Sequence, residues 1–439
     1  MQEKNKISIF AATMMNMNIM IGAAIFIGPS MMAIKGGNLS FLGWIAIALL
    51  FFPVVWSIIQ VSKYYPQATS FFSFSKSLGI TVTFISGWSY FLGFLCAIPI
   101  QIVGLSEVLH TQFKLNFVQN HPILFYAITI AFLTSLSVFS LKIISKFQNS
   151  LTIFKLLPII FVIILIPFYW NSELQINLSN ISIVRYTLPF TLFGYWGFEA
   201  CTNIISSIKG GRKSATIAIL SAFFTVTTVY SIFHFGLLNI MGSQNLANYG
   251  VPAFVYYLNI KSPIILNLLN AILSSVIATA YLSAAFGVFI SNSSIFQNLA
   301  KEGYLIFSSF ISKSTKNDRP FNALLIKALL IFLILVFVNN KIILTSICNT
   351  GLITAFLITI ISLFVLQLRN KDYKQLFMTI LAFISSGILI AYNWFNLGAN
   401  NIIRLKYISP LIIMIIIGLI MFKIKSKKRQ KLILKNGNQ

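Results

Sequence analysis

Acidic residues are nearly missing from this chain. Only 7 of its 439 residues are Asp or Glu, against 32 Lys or Arg. Charged residues of both signs make up 9%, where a soluble domain carries about 25%. So little charge cannot cover a water-soluble globule of this length, which excludes a soluble enzyme and a disordered chain. Cysteine is scarce too. Cys96, Cys201 and Cys348 lie far apart in apolar blocks, which excludes a disulfide framework and a zinc spacing. The three histidines, His110, His121 and His234, are scattered without ligand spacing. Hydrolysis and group transfer need paired carboxylates, a metal cluster or a nucleophile with its base. Those residue sets are absent, so no enzyme, no metal and no cofactor is expected.

What the chain has is apolar sequence. Hydrophobic residues make up 57%, and the mean hydropathy is +0.87. They come in blocks of about 20, the length of a membrane-spanning helix. Runs such as 411–422 do not alternate in polarity, which excludes an outer-membrane barrel. Twelve apolar segments are predicted, over 8–34, 39–62, 81–108, 122–141, 150–170, 187–207, 215–241, 263–293, 321–340, 343–367, 376–394 and 405–423. The first is too long for a signal-peptide core.

The basic residues test that count. With the first seven residues inside and loops alternating, 23 Lys and Arg fall on the inner side and 7 on the outer, with Lys155 and Lys327 inside spans. That asymmetry over short loops orients a membrane protein, so both termini are expected in the cytoplasm and the chain in the inner membrane. The net charge of +25 thus reads as a topology signal, and no nucleic acid partner is expected. The tail KIKSKKRQKLILK (423–435) reads first as an anchor, with anionic lipid head groups as its other reading.

Backbone may unwind inside a bilayer only where protein buries it or a cavity hydrates it. Transporters place such breaks at matching positions in two halves. MNMNIMIGAAIFIGP (15–29) carries Gly22, Gly28 and Pro29. LPFTLFGYWGFEACTN (188–203) carries Gly194, Gly197 and then Glu199. These are spans 1 and 6, the spacing that a five-plus-five inverted repeat requires. Glu199 is the one carboxylate near the middle of a span. Ionised groups are costly there, and by default functional or paired. It is a candidate proton carrier, cation contact or gate. Lys155, early in span 5, is either a cation beside the first break or a side chain snorkelling to the interface.

Six stretches together resemble the amino acid–polyamine–organocation transporters, of LeuT-type fold. IGAAIFIGP (21–29) is similar to that family's unwound span 1. YYPQATSFFSFSKSLG (64–79) resembles its amphipathic loop, with Thr69–Ser70 in place of two glycines. FISGWSYFLGF (84–94) is similar to the start of span 3, and LTIFKLLPII (151–160) to span 5 with its lysine. GYWGFEACTNIISSIKGGRKSATIAI (194–219) resembles span 6 and the loop after it. NLAKEGYL (298–305) with RPFNAL (319–324) resembles the loop into span 9. The look is nearest the basic amino acid and polyamine antiporter branch. The resemblance implies that substrate carboxylate and amine rest on backbone at Ile21, Gly22, Ala23, Ala24 and Ile25, and at Phe193, Gly194, Tyr195, Trp196, Gly197 and Phe198. An aromatic at Phe193, Tyr195 or Trp196 is expected to cover the substrate or meet a cation. Tyr281 and Ser283 on span 8 are weaker candidates. Lys155 matches a lysine that replaces a sodium ion, and Glu199 an acidic position of the family. Ala24 stands where the last glycine of the motif is usual.

The expected fold is therefore an all-α polytopic membrane protein. It has twelve transmembrane helices and a LeuT-type inverted repeat, with helices 1 and 6 broken. Its parts are a cytoplasmic start (1–7), a first repeat (8–170), a second repeat (171–367), two further spans (368–423) and a basic tail (424–439). The expected function is a permease that moves amino acids by alternating access, as an exchanger or coupled to protons. A polyamine or organocation antiporter is the alternative, and a membrane-embedded sensor or enzyme the alternative of another class. The partners expected are a small amino acid or amine, protons and the bilayer. Oligomeric state is not readable. Single cysteines test the topology: Lys209→Cys and Lys371→Cys should resist an impermeant maleimide added outside intact cells, whereas Lys114→Cys and Arg404→Cys should label.

Overall fold

A computed structural model describes residues 6–22, 24–66, 68, 70–170, 176–315, 317–338, 340–398 and 400–436. Ala23, Thr69 and the tail side chains beyond Lys425, all named above, lie outside the described residues. The long helices are α1 (Ile9–Met20), α2 (Ala24–Gly36), α3 (Leu42–Tyr64), α4 (Ile80–Phe113), α5 (Pro122–Leu136), α6 (Leu141–Leu165), α7 (Gly211–Met241), α8 (Pro263–Lys301), α9 (Phe321–Phe337), α10 (Lys341–Arg369), α11 (Leu376–Asn396) and α12 (Asn401–Asn436). No strand forms among the described residues. One parallel bridge joins Ile7 to Ile208.

Eight of these helices, some with an added 3-10 turn, are long and apolar enough to cross a membrane. α1 and α2 meet at a bend of 44° and make a further broken span, while α5 and α9 are shorter apolar helices. The segment expected as span 6 is not a continuous helix. It runs through one helical turn (Leu188–Thr191), a 3-10 turn (Leu192–Tyr195), a break and a second 3-10 stretch (Ala200–Ser207). α6 starts earlier than the apolar segment 150–170 does. Its polar first turns bury Ser145 and Gln148 against neighbouring helices, so hydropathy alone places its start too late.

α4 and α8 form the buried centre, and α10 packs closely on α4. Small residues permit that approach, as membrane helices require. A Cβ on Gly351 of α10 would sit 2.8 Å from the Ser89 carbonyl oxygen and 3.1 Å from the Gly93 Cα. Gly351→Leu should therefore overpack this contact, at a cost of about 1–3 kcal/mol, and lower the melting temperature. Gly387→Leu on α11, where a Cβ meets nothing within 4 Å, should leave melting unchanged. Thermal unfolding of the two variants in detergent checks the contrast.

Candidate functional site

The two breaks lie against each other in the core. A Cβ on Gly194 would stand 3.1 Å from the Cβ of Ala24. Gly197 adopts φ +102°, a region that favours glycine, and a Cβ there would be 2.2 Å from Ile19 Cγ2. Asn16 of α1 clasps the second break, donating from Nδ2 to the Phe198 carbonyl at 2.6 Å. Its Oδ1 accepts from the Cys201 N–H at 2.9 Å.

Three carbonyls at the first break, those of Asn18, Met20 and Ile21, accept from side chains. Lys155 of α6 is fully buried. Its ammonium donates to the carbonyls of Asn18 at 2.8 Å and Ile21 at 2.6 Å. Tyr230 of α7 donates to the Met20 carbonyl at 2.6 Å. The Asn18 side chain accepts from Thr152 at 3.2 Å and donates to the Ser283 carbonyl at 2.8 Å. Lys155 thus lies buried between α6 and the break, with its Nζ on backbone carbonyls and not at a membrane interface.

Glu199 follows the second break and is fully buried. Tyr90 of α4 donates to its Oε1 at 2.7 Å. Oε2 makes no hydrogen bond among the described residues, and backbone N–H groups of Gly197 and Glu199 lie near the carboxylate. Asn203 donates to the Tyr90 hydroxyl at 3.1 Å and to Ser291 at 3.0 Å. Asn203 also lines a cavity of roughly 680 Å³, with Gln297, Lys301, Glu302 and Arg319. The Lys76–Glu302 ion pair, 2.9 Å, stands beside it.

The structure gathers most of the expected residues. Ile21, Gly22, Ala24, Ile25, Gly194, Gly197 and Phe198 are buried at the paired breaks, and Phe193 packs half-buried on the core. Ala23 lies outside the described residues. Two aromatics turn to other helices. Tyr195 donates to the Trp44 carbonyl at 2.8 Å, and Trp196 donates to Asn349 Oδ1 at 2.6 Å. Phe198 meets Phe51 edge-on, with centroids 5.4 Å apart. Ser283 joins through its carbonyl, and the Tyr281 ring fills the space beside Gly104. Asn16, Tyr90, Gln101, Asn203 and Tyr230 were not singled out from sequence. The signal for three of them was available: an amide inside an apolar span.

Lys155→Met should remove two charge-assisted hydrogen bonds and strand two buried carbonyls. Each stranded group costs about 1–3 kcal/mol, so the variant should melt well below the wild type. An unchanged melting temperature would show that the ammonium does not hold the break.

An amino acid permease family model matches residues 7–404. No curated protein matches the sequence. Among solved structures the chain is similar to a mutant of the Eremococcus coleocola manganese transporter, with 13% identity and a TM-score of 0.54. The likeness covers 94% of this chain and 95% of that one, and it speaks to the fold alone. A transporter rather than an enzyme, built into the membrane by several passes, follows from the match over nearly the whole chain and its apolar helices: the chain belongs to the amino acid permease family.

Proposed function

We propose that this protein is a secondary transporter that carries amino acids across the cytoplasmic membrane by alternating access. The observation that carries the reading is the pair of breaks packed together in the core, one stabilised by Lys155 and the other followed by Glu199. Twelve spans are supported by adding the four shorter or broken segments to the eight long ones. The inverted repeat is supported by the breaks at spans 1 and 6, and the charge asymmetry supports both termini in the cytoplasm. Free N–H groups at the start of α2 suit a carboxylate, and carbonyls of the breaks suit an ammonium.

Lys155 supplies the positive charge that a sodium ion would otherwise bring to the first break. That favours exchange or proton coupling over sodium coupling. Glu199 is the carboxylate placed to take a proton. Its Tyr90–Asn203 chain leads to the cavity beside the Lys76–Glu302 pair, on the inner side in the proposed topology. The manganese cargo belongs to the structural neighbour. Among the described residues no three His, Cys, Asp or Glu side chains gather as they would around a metal, so an organic substrate is the better reading. A basic amino acid or polyamine remains within the proposal on resemblance alone.

Sodium-free proteoliposomes test this with a labelled amino acid panel. Uptake only into preloaded vesicles identifies an exchanger. Uptake into empty vesicles under an acid-outside gradient identifies proton coupling. No uptake under either condition rejects the proposal. Glu199→Gln should fold normally and slow gradient-driven uptake by about a hundredfold or more, in the range that loss of one proton-transfer group produces. An unchanged rate and pH profile would remove Glu199 from the mechanism.

A further inference from the structure

The cavity that Asn203 borders has a buried cation on its wall. Arg319, in the loop before α9, lines that cavity and is 4% exposed. Its Nε donates to the Ser137 carbonyl, at the C-terminal end of α5, over 3.0 Å. Its Nη2 is buried and makes no hydrogen bond among the described residues. No carboxylate forms an ion pair with it among those residues, where the pairs are Lys76–Glu302 and Lys341–Glu107. Asp318 precedes it in the chain, yet is exposed and stands outside those pairs. A buried charge without a counter-charge is costly, and proteins pair such groups as a rule.

The surroundings add to the positive sign. Lys301, at the end of α8, lines the same cavity. α9 starts at Phe321, just past Pro320, and the first turn of a helix carries partial positive charge. The Glu302 carboxylate is answered by Lys76. Asp318 is the opposing charge left on the cavity wall.

We propose that this cavity binds a phosphate group, with Arg319 as its anchor and Lys301 as its second cation. A guanidinium presents N–H donors in a fork that fits an oxyanion. The carbonyl of Ser137 takes Nε, which leaves Nη2 for the ligand. A phosphate has oxygens enough to meet the guanidinium, the ammonium and a hydroxyl together, and Ser206, Ser294 and Ser314 line the cavity. Its volume of roughly 680 Å³ exceeds that of the phosphate alone. The group therefore enters either as the free anion or as the head of a larger molecule. This site is separate from the paired breaks. Asn203 stands between the two, at the cavity wall on one side and donating to the Tyr90 hydroxyl on the other.

Thermal unfolding of the purified chain in a neutral detergent tests the site. Inorganic phosphate is titrated at constant ionic strength set with chloride. A ligand that binds the folded form raises the melting temperature with its concentration. The wild type should show a saturable rise with phosphate and none with chloride. Arg319→Gln should weaken the apparent affinity by about tenfold or more, the scale of hydrogen bonds to a charged group. Two milder variants keep the test decisive if that one does not fold. Lys301→Gln should weaken binding by about threefold and Asp318→Asn strengthen it by about threefold, as exposed charges do. Asn tolerates the left-handed backbone at 318, φ +57°. Phosphatidylglycerol in place of phosphate separates the two sources. A rise with phosphate identifies the free anion, and a rise with the lipid alone that follows the same variants identifies a head group. A rise with neither overturns the site. So does a rise that Arg319→Gln leaves unchanged, or, if that variant does not fold, one that is equal in both milder variants and the wild type. The outcome does not depend on which cargo the protein carries.

Discussion

The Lys155 ammonium bonded to the Asn18 and Ile21 carbonyls is the contact on which the rest of the arrangement depends. A bilayer supplies no water to an unwound backbone, so a broken helix survives there only if side chains replace its missing bonds. Here α6 and α7 do so from two directions, through Lys155 and Tyr230.

The second break is held differently. Asn16 reaches across from α1 and bonds on both sides of Glu199, at Phe198 and Cys201. Tyr90 of α4 meets the carboxylate, and Asn203 of the 3-10 stretch after the break donates to the Tyr90 hydroxyl. Glycine at 197 allows the turn, and the same missing side chain lets Ile19 sit against it. Each break thus leans on the other, and the site is a property of the pair. Close contact between α4 and α10 through Gly93 and Gly351 gives that pair a rigid wall.

Much of this was legible because membrane physics penalises exceptions. A carboxylate and a lysine inside apolar spans, and glycines in spans 1 and 6, pointed to Glu199, Lys155 and both breaks. Partners were not legible. Tyr90 and Tyr230 look like any aromatic in a span until tertiary packing brings them to a carboxylate or a carbonyl. Tyr195 and Trp196 show the converse. Adjacent to a break, they read as substrate covers, yet their polar ends are bonded to α3 and α10. Gln101 is legible as an amide inside an apolar span, but its place against Gly22 is not. Hydropathy misplaced the start of α6 because its first turns are polar on a face that protein, not lipid, covers.

The short bridge between Ile7 and Ile208 has a mechanical consequence. Ile7 donates to the Ser207 carbonyl and accepts from the Lys209 N–H, each at 2.9 Å. Two parallel bonds of this kind share a pull and fail together, as a clasp does. Each contributes a net of about 1 kcal/mol, so about 2 kcal/mol holds the clasp closed. The residues that lead into α1 and those that follow the 3-10 stretch after the second break therefore travel as one piece while it holds.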